Sequence, residues 1–140
     1  MTMSDYAGDL SPQKAWDLLA SNPDAALVDV RTSAEWQWVG AADLSELGRR
    51  AIGIEWVTSA GEPNTRFVEQ LAEAGVDPEA PVLFLCRSGG RSAAAAQVAT
   101  AAGYRTAYNV AEGFEGDPDA HGHRGTLNGW KVAGLAWRQT

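Results

Sequence analysis

The chain has 140 residues, 45% of them hydrophobic and 21% charged, which suits one globular domain with a substantial core. Its formal net charge is −7, and so acidic a chain lacks the basic face that nucleic-acid binding requires, so no nucleic-acid partner is expected. The polar, acidic start and the lack of an apolar run of ~20 residues predict no signal peptide and no membrane contact, and we expect a cytoplasmic protein.

The N-terminal part of the sequence predicts a short tail followed by a helix. Residues 1–9 are polar and are predicted to form an N-terminal tail, and one domain is expected over 10–140. In the segment 11–21, Ser11 can cap a helix and Pro12 suits the first helical position.

Short apolar runs alternate with helical segments through the middle of the chain. An apolar run at 25–30 has the length of a strand, and a short helix is predicted over Ser33–Trp38. An irregular crossover and a brief strand at Ile52–Trp56 are expected next. Asn64 is predicted to cap the following helix, at 65–75.

The same alternation continues to the C-terminus. It predicts a strand at 81–85, an alanine-rich helix over 93–102 and a strand at 104–110. A loop is expected over 111–126, and a terminal helix or pair of turns over 127–137. This order of elements is typical of an α/β domain with a mostly parallel central sheet.

The only cysteine, Cys86, directly follows the predicted strand at 81–85. Ligands of open α/β sheets bind at the carboxyl ends of the strands, where Cys86 should therefore lie. The next residues include Gly89 and Gly90, which allow a tight loop whose N–H groups point inward, and a helix is predicted to begin near Ser92. The loop amides and the positive end of the helix dipole favour the thiolate, which is the nucleophilic form of cysteine.

A structural role for Cys86 is the alternative, because free cysteine often behaves as a small buried hydrophobe. The two glycines and the flanking Arg87 and Arg91 favour a reactive site instead. With no second cysteine, the chain has neither an internal disulfide nor an internal thiol to resolve an intermediate.

Two motifs together resemble the rhodanese-like domain. "CRSGGRS" follows a hydrophobic strand, while "DVR" ends an earlier strand and a glutamate stands four residues beyond that arginine. The resemblance covers about residues 10–140. It implies an α/β fold with helices on both faces of a parallel sheet, and sulfur transfer through a cysteine persulfide, without a cofactor or a metal.

The resemblance also implies roles for individual residues. Cys86 matches the nucleophile of the family, and Asp29, Arg31 and Glu35 match an element that is mainly structural. The residues implied to surround the sulfur and bind substrate are Arg87, Ser88, Gly89, Gly90, Arg91 and Ser92.

The length of the loop separates this reaction from phosphate hydrolysis. Phosphatases that resemble the family place five residues between cysteine and arginine, in a loop wide enough for phosphate. Here four residues separate Cys86 from Arg91, and the next residue is Ser92. This shorter loop resembles the sulfurtransferase version, which is sized for one sulfur atom.

The sequence departs from the family pattern in two places. The family usually follows the glutamate with a glycine–histidine–isoleucine element, which the segment 36–56 lacks. Near the C-terminus, residues 117–126 are inserted between "EGFEG" and "NGW". We expect this insertion to lie beside the loop of residues 87–92, the active loop. It is either a lid or specificity element for that loop, or a surface excursion that the fold tolerates.

The insertion also contains a histidine pair that resembles a metal-binding motif. His121 and His123 lie close to Asp117 and Asp119 in the sequence. Zinc sites need three or four ligands on a rigid frame, however, so a solvated loop without metal is the favoured interpretation.

Three functions follow from these observations. The first is a thiosulfate sulfurtransferase that takes sulfur from a small anionic donor and gives it to an external thiol, or to cyanide in an assay. The second is a sulfur-carrier or binding module that relays persulfide sulfur between proteins. The third, a regulatory domain without activity, is disfavoured because Cys86 and its loop are intact.

Overall fold

The computed structural model describes residues 6–139, so residues 1–5 of the predicted tail lie outside the described residues. In these residues, five strands form a parallel sheet: Gly8–Leu10 (β1), Ala26–Asp29 (β2), Ile52–Gly53 (β4), Val82–Leu85 (β5) and Ala107–Val110 (β6). Their order across the sheet is β1-β6-β5-β2-β4, which confirms the predicted α/β fold. A separate antiparallel pair joins β3, Ala41–Ala42, to β7, Trp137–Arg138.

Four α-helices lie within residues 6–139 and connect these strands. Their bounds are Pro12–Ser21 (α1), Ser33–Trp38 (α2), Phe67–Glu73 (α3) and Gly90–Ala101 (α4), and a 3₁₀ turn covers Ser45–Leu47. The structure confirms Ser11 as the cap of α1, since its side chain accepts a hydrogen bond from the Lys14 N–H. No helix in residues 6–139 is long and apolar enough to cross a membrane.

Both faces of the sheet are buried, as parallel sheets require. Along β5, Val82 and Phe84 pack with residues of α3 and α4, whereas Leu83 and Leu85 pack with residues of α1 on the other face. The helices therefore lie on both faces, and they leave the carboxyl edge of the sheet to the loops.

The predicted tail is wrong at its end, because Gly8 and Asp9 belong to β1. The strand pairs in parallel with β6, and Leu10 lies opposite Val110. The stretch "GDL" has one apolar residue, so local hydrophobicity carries no strand signal. Long-range pairing alone forms this edge strand.

Two helices begin at other residues than predicted. Asn64 does not cap α3, because its side chain bonds the Glu55 carbonyl oxygen, Gln70 and the Arg66 N–H, and the helix starts only at Phe67. Helix α4 starts at Gly90 rather than near Ser92. Ser92 therefore lies in the first turn of α4, close to the end of β5.

Of the two forms predicted for the C-terminal segment, a helix or a pair of turns, the structure shows turns. The N–H groups of Trp130 and Lys131 donate to the carbonyl oxygens of Gly113 and Phe114, so they are not free for helical hydrogen bonds. The indole N–H of Trp130 bonds the Ala136 carbonyl oxygen, and the chain then enters β7, which the sequence did not predict. The brief strand expected at 52–56 is confined to Ile52–Gly53.

Candidate active site

Cys86 lies at the carboxyl end of β5, underneath the loop that leads into α4. Its side chain is buried, with 1% of the residue exposed, and its thiol is free rather than part of a disulfide. The sulfur does not have a purely apolar environment, however. Its Sγ accepts a hydrogen bond from the Gly89 N–H at 3.1 Å and lies 3.1 Å from the Ser92 hydroxyl oxygen.

The loop geometry turns backbone donors toward the sulfur. Gly89 has φ of 113°, a left-handed conformation that a residue with a side chain rarely adopts, and this lets its N–H reach Sγ. The first backbone bond within α4 runs from the Ala93 N–H to the Gly89 carbonyl oxygen. The N–H groups of residues 90–92 thus have no acceptor within the helix and provide partial positive charge beside Cys86.

A second backbone segment, residues 113–116, supports the active loop through hydrogen bonds to its carbonyl oxygens. The Phe114 N–H donates to the Cys86 carbonyl oxygen at 2.8 Å, and two further N–H groups of the segment donate to the Arg87 carbonyl oxygen. A Cβ atom at Gly113 would lie 2.5 Å from the Arg87 carbonyl oxygen, so only glycine permits this approach. This supporting role is not predicted from the sequence, although Gly113 of "EGFEG" is a signal for it.

Arg91, predicted to bind substrate, forms a bidentate ion pair with Glu35. Its two terminal nitrogens lie 2.8 and 3.1 Å from the carboxylate oxygens of Glu35. Glu35 also belongs to a capping box at the start of α2, where it accepts the Thr32 N–H. The pair therefore holds the first turn of α4 against α2. Because both terminal nitrogens of Arg91 bond Glu35, Arg91 is a structural residue of the site and is not free to bind a substrate anion.

The electrostatics of this pair are favourable. Burial alone raises the pKa of Glu35, but the hydrogen bonds from Arg91 and the Thr32 N–H, with the charges of Arg91 and Arg31, outweigh burial and lower it to about 2. The pKa of Arg91 is raised, first by its hydrogen bond to Glu35 and also by the charges of Glu35 and Cys86. Arg91 is thus a fixed positive charge near the sulfur.

Asp29 and Arg31 form a buried ion pair at the same edge of the sheet. The Arg31 guanidinium is fully buried, lies 2.7 Å from the Asp29 carboxylate and donates to the Gly40 carbonyl oxygen. It also stacks over the Phe114 ring at 4.3 Å. These contacts join the segment after α2 to the segment that supports the loop, which is a structural task.

Arg87 differs from the other charged residues of the site. Its side chain is exposed, and it makes no hydrogen bond or ion pair within residues 6–139. Ser88 is half-buried and Gly90 is exposed beside it. Of the two loop arginines, only Arg87 is therefore available to meet an incoming anion.

The insertion at 117–126 directly follows the supporting segment, at a point next to the active loop. Gly116, the residue before it, donates its N–H to the Arg87 carbonyl oxygen at 3.1 Å. Within the insertion, the Asp119 carboxylate accepts the N–H groups of His121 and His123 and the Thr126 hydroxyl. In the described residues, no three metal-ligating side chains come together around these histidines or elsewhere.

Two further residues near the sulfur were not predicted from the sequence. Asn109, in β6, is buried and contacts the Ser92 hydroxyl, and Asp9, in β1, contacts Asn109. They lie far from the active loop along the chain, and no local motif marks them. Only the order of the strands brings them to Cys86.

Comparison with known proteins gives a match over nearly the whole chain. The family model described as the STR4 middle domain matches residues 7–140. An uncharacterized protein of Rickettsia conorii is 39% identical over 126 residues, covering 89% of this chain and 92% of that protein. The thiosulfate sulfurtransferase GlpE of Actinobacillus pleuropneumoniae is 29% identical over 114 residues, covering 81% of this chain and 89% of the enzyme.

Other similar proteins include a plant protein and two with solved structures. The chloroplast protein THYLAKOID RHODANESE-LIKE of Oryza sativa is 31% identical over 131 residues, which are 93% of this chain but 25% of that protein. The crystal structure of Rv0390 from M. tuberculosis shares 55% identity at a TM-score of 0.90, covering 96% of this chain and 99% of that one. The polysulfide-sulfur transferase homodimer of Wolinella succinogenes shares 27% identity at a TM-score of 0.63, covering 97% of this chain and 80% of that one.

Proposed function

The chain belongs to the STR4 middle-domain family, which is rhodanese-like, and from that premise we propose that it is a sulfurtransferase acting through a persulfide on Cys86. The donor is a small anion with a sulfane sulfur, such as thiosulfate, and the acceptor is an external thiol. One observation carries the proposal: the only cysteine lies at the N-terminal end of α4, where the Gly89 N–H donates a hydrogen bond to its sulfur. Two relatives named as sulfur transferases support it.

The proposed reaction has two displacements at sulfur. The Cys86 thiolate attacks the outer sulfur of thiosulfate, the bond between the two donor sulfurs breaks, and sulfite leaves with the electron pair. The thiolate of the acceptor then attacks the outer sulfur of the persulfide, and Cys86 leaves as a thiolate. Loop N–H groups stabilise the charge that develops on sulfur in both steps. The acceptor is external because the chain has one cysteine.

Intact mass spectrometry tests the proposal directly. After incubation with thiosulfate and removal of the donor, the protein should gain the mass of one sulfur atom, and a thiol acceptor should remove it. A folded protein that gains no sulfur from thiosulfate, polysulfide or a protein persulfide would refute the proposal. Sulfur gained only from a protein persulfide would identify a sulfur carrier and exclude the thiosulfate enzyme.

The exposed Arg87 side chain leads to a kinetic prediction. We expect Arg87→Ala to raise the KM for thiosulfate about fivefold, with a smaller change in kcat, because one exposed charge contact contributes about 1 kcal/mol. Steady-state rates with cyanide as the acceptor measure both constants. Thiosulfate kinetics identical to those of the wild type would show that Arg87 does not meet the donor.

A matched control for this variant is Arg105→Ala. Arg105 is also exposed and carries the same charge, but it precedes β6 at the amino edge of the sheet, where it pairs with Glu79. The substitution changes the net charge of the protein by the same amount as Arg87→Ala. Arg105 lies at the edge of the sheet opposite to Cys86, where it cannot contact the donor. The KM should therefore stay at its wild-type value in this variant.

The insertion at 117–126 leads to a second prediction about substrates. Replacing it with a glycine-containing turn should leave the melting temperature nearly unchanged, because no residue of the insertion is buried and its hydrogen bonds to the rest of the chain are few. They run from Arg124 to the Gly116 carbonyl oxygen, from the Gly125 N–H to the Glu115 carbonyl oxygen, and between Asp117 and Asn128. We expect the rate with a bulky thiol acceptor to change more than the rate with cyanide, since the insertion starts beside the Arg87 backbone. Parallel acceptor assays and thermal melts check both statements.

A milder variant separates the shape of the insertion from its presence. Asp119→Ala removes the carboxylate that accepts three hydrogen bonds inside the insertion, while the length of the chain stays the same. It should change the acceptor preference in the same direction as the deletion, but less. Equal losses with both acceptors, or a collapse of the fold on deletion, would show that the insertion belongs to the scaffold.

A further inference from the structure

A chain of polar side chains leads from the Cys86 sulfur across the sheet to its edge strand. The Ser92 hydroxyl oxygen is fully buried and lies 3.1 Å from Sγ and 2.5 Å from Asn109 Oδ1. Asn109 is 6% exposed, and its Nδ2 donates to the Asp9 carboxylate at 3.0 Å. The Tyr6 hydroxyl donates to the same carboxylate oxygen at 2.9 Å. The sulfur is thus connected to β1 through β6.

The chemistry of the groups fixes the direction of these hydrogen bonds. The ionised Asp9 carboxylate only accepts hydrogen bonds, so it requires the amide nitrogen of Asn109 to face it. The amide oxygen of Asn109 then faces Ser92 and requires a donor there. A serine hydroxyl has one proton, and the shorter contact, to Asn109, takes it. The Ser92 oxygen is left to face Sγ with a lone pair.

This arrangement distinguishes the two protonation states of Cys86. The neutral thiol can donate its proton to the Ser92 oxygen, so the whole chain is satisfied. A thiolate presents only lone pairs to that oxygen. To stabilise the thiolate, Ser92 must turn its proton to Sγ, which breaks its short bond to Asn109 and leaves the amide oxygen unpaired in a buried place.

We propose that Asn109, oriented by Asp9, is a positioning residue that holds the Ser92 proton away from Cys86 and so disfavours the free thiolate between sulfur transfers. The Sγ atom of the persulfide carries no proton, so the network acts on the free cysteine and not on the sulfur-loaded form. This proposal rests on the proposed function only in naming Cys86 as the reactive thiol. It assigns a task to two residues outside the active loop.

The charged groups that face the site come from every neighbouring element. Arg91 of α4 pairs with Glu35 of α2, and the charge of Arg91 acts on Cys86. The other groups are Asp29 and Arg31 at the end of β2, Asp9 and Tyr6 beside β1, and Arg87 in the loop. The backbone of Glu112 lies near Gly89, but its carboxylate accepts the Gly129 N–H. Substitution of Asn109 removes none of these charged groups, so their effect on Cys86 is the same in the wild type and in the variant.

The test is a pH titration of the thiolate by its ultraviolet absorbance, with Cys86→Ser as the blank for tyrosine. Because the chain has one cysteine, the difference reports Cys86 alone, whether or not a reagent reaches the buried sulfur. Asn109→Leu keeps the size of the side chain and frees the Ser92 proton to bond the thiolate. We expect the midpoint to move down by about one pH unit, or about tenfold in thiolate population at neutral pH.

A double-mutant comparison separates this effect from a change in packing. In a Ser92→Ala background there is no hydroxyl proton to redirect, so Asn109→Leu should leave the midpoint where Ser92→Ala places it. If Asn109→Leu does not fold, Asp9→Ala tests the same proton network. Asp9 is exposed, and its loss releases the amide orientation, so the midpoint should again fall, and only when Ser92 is present.

Two results would overturn the proposal. One is an unchanged midpoint in a folded Asn109→Leu or Asp9→Ala protein, and the other is an equal shift with and without the Ser92 hydroxyl. The titration needs no sulfur donor, so its outcome is distinct from that of the proposed function. Persulfide formation without the expected shift would refute only the proton network, whereas the shift without a persulfide would refute only sulfur transfer.

Discussion

Cys86→Ser is expected to abolish sulfur transfer from thiosulfate to cyanide while the protein stays folded. A serine hydroxyl cannot form a persulfide, so the first displacement, the transfer of the outer sulfur of thiosulfate to residue 86, cannot take place. The fold should persist, because a serine hydroxyl at this position can accept the Gly89 N–H and donate its own proton to the Ser92 oxygen, the two groups that contact Sγ. Thiocyanate formation measures the activity, and circular dichroism with thermal melting measures the fold.

Wild-type protein alkylated at its single thiol is the matched control for this variant. It carries the same loop and the same charges, and it should be as inactive as the serine variant. Turnover by Cys86→Ser at more than the rate without enzyme would mean that sulfur moves by another route. The assignment of Cys86 as the nucleophile would then be withdrawn.

The elements with strong local signals were predicted closely from the sequence. Helix α1 is predicted from its serine cap and its proline, and the structure places it one residue after the cap. Helix α2 covers the predicted residues, and the structure shows that a capping box begins it. The position of Cys86 at the end of β5 followed from the apolar run before it. These features depend on contacts within about one helical turn, which a linear sequence displays.

The contacts that complete the site cannot be seen in this way. The Asn109–Asp9 hydrogen bond joins residues 100 positions apart, and the Arg91–Glu35 pair joins residues 56 positions apart. Each depends on which strands and helices become neighbours. The edge strand β1 has one apolar residue, so its pairing with β6 has no local sign at all. Sequence motifs thus predict the position of Cys86 but not the groups that surround it.

The Arg91–Glu35 pair explains how the active loop stays in place. Gly89 adopts a left-handed conformation just before α4, and a helix that began elsewhere would move its N–H away from Sγ. The bidentate pair fixes the first turn of α4 against α2, and α2 is itself capped by the Glu35 carboxylate. Loss of Arg91 therefore disturbs the loop and leaves a partly buried carboxylate without its cation.

Arg91→Ala is expected to lower the free energy of unfolding by about 1–2 kcal/mol and to reduce kcat about tenfold or more. The loss is smaller than for a fully buried pair, because the side chains of Arg91 and Glu35 are 28% and 21% exposed. Denaturant unfolding and thiosulfate kinetics give the two values. Arg66→Ala is the matched control: Arg66 pairs with Glu69 and Glu73 on the exposed surface of α3, so its loss should change both quantities much less.

The pH dependence of the same variant shows whether the pair is the cause. The pKa of Glu35 is lowered from 4.5 in the unfolded chain to about 2 in the fold, so the pair contributes its full stability above pH 4.5 and loses it as the pH falls toward about 2. Without Arg91 the folded-state pKa returns toward the unfolded value, and this loss disappears. The stability difference between the wild type and Arg91→Ala should therefore shrink steadily on acidification through that window. A difference that stayed constant with pH would show that Arg91 stabilises the fold through packing of its side chain rather than through Glu35, and the ion pair would no longer account for the position of the active loop.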